Sequence, residues 1–256
     1  MAVKLFVLGL PGSGKSSIAR LISMYARDRQ CSTAHVNDYT ILYEMFQKDK
    51  KGQFKPAEFG GFDVLDLTVF DVALNKLEQE VNRNISSTNS EELLLIEFAR
   101  NDYQQAFHQF NDRFLQDAYF LYLNADLDIC KQRIRDRIAN RTYDDDHYVS
   151  DYIFDEYYHG DNGQCLSNIL EREYKINKQR ILVIDNNCSL EEAFRQIAPF
   201  IDCITTFSSD LKDTADTSSS NFEEAISDDK ADTPTNNPIQ PTPADLADEP
   251  GVLVGV

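Results

Sequence analysis

The sequence contains no tryptophan, and it is short of positive charge. It has 25 Lys and Arg against 43 Asp and Glu over 256 residues, which gives a formal net charge of −18. Proteins that bind duplex nucleic acid rely on Lys and Arg to neutralise the phosphates. We therefore expect no general surface for duplex nucleic acid, although a short basic channel is compatible with this composition.

Paired cysteines and long apolar runs are lacking too. The five cysteines are an odd number without a CxxC pair, which predicts neither a disulfide framework nor a zinc site and favours a reducing, cytoplasmic location. The first apolar run is soon ended by a glycine-rich loop, so it is too short for a signal peptide or a membrane span. We therefore expect no membrane partner.

The acidic residues are concentrated towards the C-terminal end. Residues 205–256 contain eleven Asp and Glu and two Lys, a net charge of −9. The segment is rich in Ser, Thr, Asp and Pro and has no sustained helix or strand period, a composition typical of disorder. We predict a disordered acidic tail over residues 205–256, which either keeps the chain solvated or has a docking or autoinhibitory role.

The remaining residues, 1–204, alternate short β-branched or leucine-rich runs with amphipathic segments. This pattern predicts one α/β domain in which a five-stranded, mostly parallel sheet has helices on both faces. The expected strands cover residues 3–10, 32–37, 92–98, 119–125 and 181–185.

A glycine-rich loop follows the first expected strand. Gly9, Gly14, Lys15 and Ser16 match GxxxxGK[ST] directly before a helical pattern. Such a loop turns its N–H groups towards an anion, Lys reaches the β- and γ-phosphates, and Ser binds Mg²⁺. The alternative is an ordinary turn that caps a helix. The predicted ligands are ATP and Mg²⁺, held by Gly9, Pro11, Gly12, Ser13, Gly14, Lys15, Ser16 and Ser17.

Acidic and basic side chains follow the next two expected strands. Asp38 comes after the second strand, in "HVNDY", and Glu97 and Arg100 come at the end of the third, in "LLLIEFARND". A carboxylate near a substrate hydroxyl can accept its proton or orient it. Alternatively, Asp38 caps a helix, and Glu97 and Arg100 form a surface pair.

Three arginines and an asparagine lie further along the chain. Arg133, Arg137 and Arg141 are spaced by four, which would place them along one helix face. The alternative is an exposed helix on which Asp136 is a ready ion-pair partner. Asn186 follows the fifth expected strand, where an Asx turn is expected as well.

The order of these motifs over about residues 3 to 200 resembles the small P-loop kinases, a group that includes nucleoside, nucleotide and polynucleotide kinases. The resemblance implies a three-layer P-loop kinase fold in which Asp38 faces the phosphate acceptor and Glu97 holds the Mg²⁺ shell. It also implies that Arg100 contacts the acceptor or the γ-phosphate. Two departures are the Glu in place of the usual Asp at position 97 and the missing Arg in "VNDY".

The resemblance also assigns roles to the later residues. Arg133 would stack on the adenine, and Arg137 and Arg141 would enter the phosphate site when a lid over about residues 133–165 closes. Cations that arrive only on closure keep ATP from being spent on water. Asn186 would border the base.

Together these features predict an ATP-dependent kinase that moves the γ-phosphate to a hydroxyl of a small or nucleotide-like acceptor. The catalytic residues would be Lys15, Asp38, Arg100, Arg137 and Arg141. The alternatives are a regulatory P-loop NTPase without a dedicated acceptor and a binding protein with degenerate catalysis. No NKxD guanine motif is present, which disfavours a GTPase. Residues 47–91 carry no signature, so the acceptor is not identified.

Overall fold

The structure is a computed structural model that describes residues 2–87, 92–141, 147–160 and 162–219, with side chains for all of these except 86–87 and 206–219. The chain divides into a unit of residues Met1–Ala215 and a unit of residues Asp216–Val256. The sheet and the site described below belong to the first unit.

Five parallel strands form the central sheet, in the order β2-β5-β1-β6-β7. They lie where the sequence predicts strands, because four of the five are short runs rich in Leu, Ile, Val or Phe; the strand Ser32–Asn37 has only one such residue and is partly exposed. A short antiparallel hairpin, β3-β4, was not predicted. The strands are β1 (Val3–Gly9), β2 (Ser32–Asn37), β3 (Phe54–Pro56), β4 (Phe62–Val64), β5 (Glu92–Phe98), β6 (Tyr119–Asn124) and β7 (Ile181–Asp185).

Helices connect the strands. Three short 3₁₀ turns, at Tyr158–Gly160, Gly163–Cys165 and Lys178–Arg180, accompany them. The helices in the described residues are α1 (Lys15–Arg27), α2 (Asp38–Gln47), α3 (Thr68–Ser87), α4 (Tyr103–Phe107), α5 (Asp112–Gln116), α6 (Leu127–Ala139), α7 (Asp151–Glu156), α8 (Leu166–Tyr174) and α9 (Leu190–Ser219).

The helices cover both faces of the sheet, as predicted. Successive side chains of β1 point to opposite faces. Phe6 and Leu8 join a cluster with α3, α4 and α8, whereas Leu5 and Val7 join one with α1 and α9. In the first cluster the Phe6 ring stacks on Phe120, with ring centroids 5.1 Å apart. The result is a three-layer α/β fold of the P-loop kinase type.

Because all five strands run parallel, their carboxyl ends meet at one edge of the sheet. The glycine-rich loop follows β1, Asp38 follows β2, Glu97 lies at the end of β5 and Asn186 follows β7. Open α/β sheets bind ligands at this edge. The fold thus brings together residues that are far apart in the sequence.

Two predicted boundaries can be located relative to the observed elements. The predicted end of the domain, residue 204, lies inside α9, and residues 220–256 of the predicted tail lie outside the described residues. The predicted lid, residues 133–165, contains the end of α6, all of α7 and two 3₁₀ turns, while 142–146 and 161 are not described. The domain division stays a prediction. None of the described helices combines the length and apolar character needed to cross a membrane.

Candidate active site

A cavity of about 630 Å³ lies at the carboxyl edge of the sheet. We divide its lining residues into a loop side and a lid side, and we count Arg133 and Arg137 of the predicted lid with the loop side because Arg133 contacts Cys188 and Arg137 acts on Lys15. The loop side is lined by Pro11, Gly12, Gly14, Lys15, Ser16, Ser17, Arg20, Glu97, Arg133, Arg137, Asn186, Cys188, Ser189 and Leu190. The lid side is lined by Asn37, Asp38, Tyr39, Leu42, Phe62, Val64, Phe70, Ala99, Asn140, His147, Tyr148, Val149, Ile153 and Tyr158.

The loop between β1 and α1 has a backbone that only glycine fits. Gly12 and Gly14 have φ angles of 80° and 98°, in the left-handed region that favours glycine. A Cβ at Gly12 would lie 2.3 Å from the carbonyl oxygen of Cys130, and one at Gly14 would lie 2.7 Å from Nδ2 of Asn186. The loop can therefore hold its shape against α6 and Asn186 only with glycine at these positions.

The start of the loop is attached to the core. The N–H of Gly9 donates a hydrogen bond of 2.9 Å to the hydroxyl of Tyr103, a fully buried residue of α4. The N–H of Tyr103 donates in turn to Oδ1 of Asn162 at 2.8 Å. Gly9 and the buried Ser13 do not line the cavity, and Gly9 contributes to the site by attaching the loop to α4.

Lys15 lies at the floor of the cavity. Its side chain is buried, and Nζ donates a hydrogen bond of 2.9 Å to the carbonyl oxygen of Leu10. Burial lowers the pKa of Lys15, and the carboxylates of Glu97 and Asp38 oppose that shift. Lys15 therefore presents its cation between the two acidic residues of the site.

Ser16 and Glu97 form a pair of oxygen donors beside Lys15. The Ser16 hydroxyl donates to Oε1 of Glu97 at 2.8 Å, and Oε2 of Glu97 lies 2.9 Å from Nε2 of His35. Burial alone would raise the pKa of Glu97, but the contacts with His35, Lys15 and Ser16 bring it below its usual value. Glu97 is therefore held as a carboxylate against the hydroxyl of the loop.

This donor pair fits Mg²⁺. Magnesium prefers oxygen ligands and usually takes only one or two carboxylates from a protein, the rest coming from phosphates and water. Within the described residues no cluster of three or more His, Cys, Asp or Glu is placed to hold a metal ion. Ser16 and Glu97 can thus supply ligands to a nucleotide-bound Mg²⁺ but do not form a metal cage.

Asp38 lines the same cavity from the first turn of α2. The helix is capped by Asn37, whose Oδ1 accepts a hydrogen bond of 3.0 Å from the N–H of Thr40, so the interpretation of Asp38 as the cap is wrong. The Asp38 side chain instead receives a hydrogen bond from Arg100. Burial raises the pKa of Asp38, and the Arg100 guanidinium limits the rise.

Arg100 lies behind Asp38 and does not line the cavity. It is 2% exposed, and its NH1 group donates to Asp38 and to the carbonyl of Ala99. Its NH2 group donates to the carbonyl of Phe70 at 2.9 Å, and the guanidinium lies 4.8 Å from the centre of the Phe70 ring. In this position Arg100 holds Asp38, and a direct contact between Arg100 and a phosphate stays a prediction.

The three arginines of the predicted lid are not placed alike. Arg133 lines the loop side, where NH2 donates to the carbonyl of Cys188 at 3.2 Å and NH1 is buried without a hydrogen-bond partner. Arg137 lines it too, and its NH2 donates to the carbonyl of His147 at 2.7 Å. Its charge lowers the pKa of Lys15, so it acts on the phosphate end of the cavity.

Arg141 lies away from the other two. It is exposed, it donates to the carbonyl of Phe59, and it does not line the cavity. The spacing of four predicted one continuous helix face, but α6 ends at Ala139. Arg141 therefore follows a different backbone direction, and its entry into the phosphate site stays a prediction.

Asn186 connects the end of β7 to the loop. Its Nδ2 donates to the carbonyl of Ser13 at 2.5 Å, and its own N–H donates to the carbonyl of Asn124 at 2.6 Å. The residue is 2% exposed, and its Oδ1 is buried without a partner. Asn186 thus stabilises the loop through its hydrogen bond to Ser13. A contact between Asn186 and a base stays a prediction.

Aromatic rings dominate the lid side. The Tyr39 ring is nearly parallel to His147, with centroids 3.6 Å apart, and to Phe62, with centroids 5.7 Å apart. Phe70 and Tyr157 stack at 4.5 Å. These rings come from α2, the β3-β4 hairpin, α3 and the lid, and the sequence predicted none of them as site residues.

His35 and Arg20 were not predicted as site residues either. The sequence did contain a signal for His35. Side chains two positions apart on a strand lie on the same face, so His35 shares a face of β2 with Asn37. Asn37 is the register partner of Glu97 on β5, which brings His35 close to Glu97. For Arg20 the signal was its position, one helical turn after Ser16.

A glycine loop between a strand and a helix, a Ser–carboxylate pair and this parallel sheet define a P-loop NTPase of the kinase-like type. Residues 8–150 match the profile of the family described as AAA domain, and the chain belongs to that family. The description names no substrate. No curated protein matches the sequence.

Several solved structures are similar to the chain. A sugar kinase from Janibacter sp. HTCC2649 is 15% identical over 79% of this chain and 95% of that chain, with a TM-score of 0.47. Kti12 from Chaetomium thermophilum, in complex with ADP-AlF3, is 13% identical over 79% and 97%, with a TM-score of 0.49. The APS kinase CysC from Mycobacterium tuberculosis, in complex with AMPPNP and APS, is 15% identical over 78% and 98%, with a TM-score of 0.48. At TM-scores below 0.5 these likenesses carry no argument about substrate.

Proposed function

We propose that the protein is an ATP-dependent phosphotransferase that moves the γ-phosphate to a hydroxyl of a small or nucleotide-like acceptor. One observation carries the proposal. Asp38 lines the same cavity as Lys15 and Ser16, and the Asp38 carboxylate and the Lys15 cation shift each other's pKa. A nucleotide held by the loop would thus direct its last phosphate towards a buried carboxylate.

The loop side supplies the phosphate contacts. The N–H groups from Gly12 to Ser17 would surround an anion at the start of α1, where the helix dipole favours negative charge. Lys15 neutralises the terminal phosphates, and Arg137 adds a second cation. Ser16 and Glu97 would hold Mg²⁺, which would supply positive charge to stabilise the phosphoryl group during transfer.

Asp38 suits the role of orienting a hydroxyl. A carboxylate with a raised pKa accepts a proton more readily, and Arg100 fixes the geometry of Asp38 from behind. In the transfer, the acceptor oxygen forms a bond to the γ-phosphorus, the bond from that phosphorus to the leaving oxygen of ADP breaks, and the hydroxyl proton passes to Asp38. In this proposal Lys15 and Ser16 contact the nucleotide, and Asp38 contacts the acceptor hydroxyl.

The test is ADP release by the full chain with Mg-ATP and a panel of nucleosides, nucleoside monophosphates, 5′-hydroxyl oligonucleotides and polyols. We expect one class of acceptor to raise the rate. Asp38→Asn should lower the acceptor-dependent kcat by about 10²- to 10⁴-fold, because it removes the proton acceptor. Lys15→Ala should lower it by about 10²- to 10³-fold.

The control variant is Asp202→Asn. Asp202 also pairs with an arginine, Arg29, at 2.8 Å, but it does not line the cavity. It should leave the rate unchanged. Full acceptor-dependent turnover in Asp38→Asn would contradict the proposal. ATP binding that depends on Lys15 but responds to no acceptor would favour a regulatory NTPase.

A further inference from the structure

Within the described residues, one buried carboxylate lies outside the candidate active site. Seven polar or charged residues of this part of the chain are buried, and six of them belong to the site. The seventh is Asp63 on β4, which is 5% exposed and does not line the cavity. Burying a carboxylate is costly unless charged or hydrogen-bonding partners compensate for it. The contacts of Asp63 therefore indicate what this residue does.

Asp63 connects the β3-β4 hairpin to the predicted lid. Its Oδ1 accepts a hydrogen bond of 2.6 Å from the hydroxyl of Ser150, the residue that caps α7. Its Oδ2 lies 3.4 Å from Nζ of Lys55, its register partner on β3. The Lys55 side chain is 46% exposed, so water screens this ion pair. The hydrogen bond from Ser150 is short and has a charged acceptor, which makes it the stronger of the two contacts.

The segment that Asp63 holds also carries the carbonyl group that binds Arg137. Ser150 comes three residues after His147, whose carbonyl oxygen accepts a hydrogen bond of 2.7 Å from NH2 of Arg137. The His147 ring stacks on Tyr39 of α2, with centroids 3.6 Å apart. The short segment between His147 and Ser150 is thus fixed at both ends. The position of the His147 carbonyl, and with it the direction of Arg137, depends on both attachments.

Arg137 acts at the phosphate end of the cavity. It lines the cavity together with Lys15, and its charge lowers the pKa of Lys15. A guanidinium binds a phosphate best when its fork already points towards the anion, because less side-chain freedom is then lost on binding. The hydrogen bond to the His147 carbonyl restricts Arg137 in this way before a nucleotide arrives.

We propose that Asp63 is a positioning residue, which holds the lid through Ser150 and thereby directs Arg137 towards the terminal phosphate of the nucleotide. The inference deepens the proposed function and rests on it, because the nucleotide is the one that the glycine loop would hold. Asp63 itself would contact neither the nucleotide nor the acceptor. Its loss should weaken the binding of a nucleoside triphosphate more than that of a diphosphate, since only the triphosphate carries the phosphate that Arg137 would contact.

The test measures the Kd of the full chain for Mg-ADP and for Mg-AMPPNP, a triphosphate analogue, by calorimetry. In Asp63→Ala we expect the Kd for AMPPNP to rise by about threefold to tenfold, the range of one lost hydrogen bond. The Kd for ADP should change by less than about twofold, which would also show that the variant is folded.

The control variant is Asp66→Ala. Asp66 follows the same hairpin, but it accepts hydrogen bonds from Gln53 at 2.7 Å and from Thr68 at 2.6 Å, which lie outside the lid. This substitution should leave the preference for AMPPNP over ADP unchanged. An equal rise in Kd for both nucleotides in Asp63→Ala, or the same loss of preference in Asp66→Ala, would overturn the proposal.

A combination of substitutions shows whether Asp63 acts through Arg137. In an Arg137→Ala background, Asp63→Ala should not change the preference for AMPPNP any further, because the group that it positions is gone. Asp63→Asn should keep most of the wild-type preference, since its amide oxygen can still accept from Ser150. A further loss of preference in the double variant would mean that Asp63 acts by another route, and the proposal would be wrong.

The same contact can be tested from the lid. Ser150 caps α7, and its oxygen accepts a hydrogen bond of 3.3 Å from the N–H of Ile153. Ser150→Asp keeps a capping oxygen but places a second carboxylate against Asp63, whereas Ser150→Thr keeps both the hydroxyl and the cap. We expect only Ser150→Asp to reduce the preference for AMPPNP. Equal preferences in the two variants would contradict a positioning role for this contact.

Turnover separates failure of this inference from failure of the proposed function. If Asp63→Ala loses the preference for AMPPNP but no acceptor raises ADP release by the wild type, the transfer proposal fails and the positioning role stands. If the wild type phosphorylates an acceptor and Asp63→Ala binds both nucleotides as the wild type does, the positioning role fails and the transfer proposal stands. An absence of nucleotide binding by the wild type would overturn both.

Discussion

The two sides of the cavity differ in the residues that line them and in how far apart those residues lie in the sequence. The loop side must hold a polyanion, and it does so with main-chain N–H groups from one continuous segment and with cations from α1 and α6. The lid side presents one carboxylate among aromatic and apolar side chains drawn from α2, the β3-β4 hairpin, α3 and the lid. The first is specified by a short run of sequence, whereas the second exists only after distant segments have packed.

The difference has an electrostatic consequence. Asp38 and Arg100 are both buried, so their interaction is stronger than that of a surface pair would be. On the loop side the pKa of Glu97 is lowered by His35, Lys15 and Ser16 together. A substitution of Arg100 should therefore act mainly through Asp38, whereas the state of Glu97 depends on several partners.

The largest effect is expected on the lid side, from Arg100→Met. This substitution leaves the buried Asp38 carboxylate unpaired, which should lower the free energy of unfolding by about 3–5 kcal/mol. Urea denaturation at pH 7 would measure it. Arg29→Met is the control, since Arg29 and Asp202 are 40% and 47% exposed and such a surface pair contributes about 0–1 kcal/mol. Similar losses in the two variants would contradict the assignment.

The free energy of unfolding of Arg100→Met should also depend on pH in a way that reports on Asp38. Without Arg100, the pKa of Asp38 in the folded state should rise further above its unfolded value. A carboxyl group with a raised folded pKa destabilises the protein above that pKa, and the penalty falls as the pH drops and the group becomes protonated. The deficit of Arg100→Met relative to the wild type should therefore be smaller at pH 5 than at pH 7.

A smaller effect is expected from His35 on the loop side. His35→Ala removes the group that holds Glu97 at 2.9 Å, and outer partners of this kind typically change metal affinity by about 10- to 100-fold. We expect a higher Mg²⁺ concentration for half-maximal ATP binding, with recovery in His35→Gln, which keeps a donor. His108→Ala is the control, because His108 pairs with Glu173 on the surface at 3.3 Å. An unchanged Mg²⁺ dependence would mean that Glu97 needs no support.

The smallest effect is expected from Asn186→Ala. It removes the hydrogen bond from Nδ2 to the carbonyl of Ser13, an interaction of about 0.5–1.5 kcal/mol. The Kd for ATP should rise by about threefold to tenfold, because the loop loses one of several supports. Asn177→Ala is the control, since Asn177 caps a 3₁₀ turn outside the cavity lining. A loss of binding far above tenfold would mean that Asn186 also contacts the nucleotide.

Most of the sheet could be predicted from the sequence, because four of its five strands are short runs rich in Leu, Ile, Val or Phe that can be identified without knowing their partners. The same holds for the loop, whose spacing reflects backbone geometry. Parallel strands then bring Lys15, Asp38 and Glu97 to one edge without further information.

The remaining features depend on contacts that no local pattern encodes. Arg100 was expected to face a phosphate, but its partner Asp38 is 62 positions away and is reached only through the packing of β2 on β5. Arg141 shares the spacing of Arg133 and Arg137, yet the helix ends before it. Phe62 and Phe70 lie in a stretch without a signature, and they become site residues only through tertiary packing.

The hydrogen bond from Gly9 to Tyr103 has a consequence for the cost of binding. A loop that wraps around an anion ordinarily loses conformational freedom when the ligand arrives, and that loss weakens the affinity. Here the first residue of the loop is tied to a fully buried ring, which Asn162 holds in turn. Part of that ordering therefore takes place when the chain folds. The hydrogen bond to Tyr103 of α4 preorganises the start of the loop before the ligand binds.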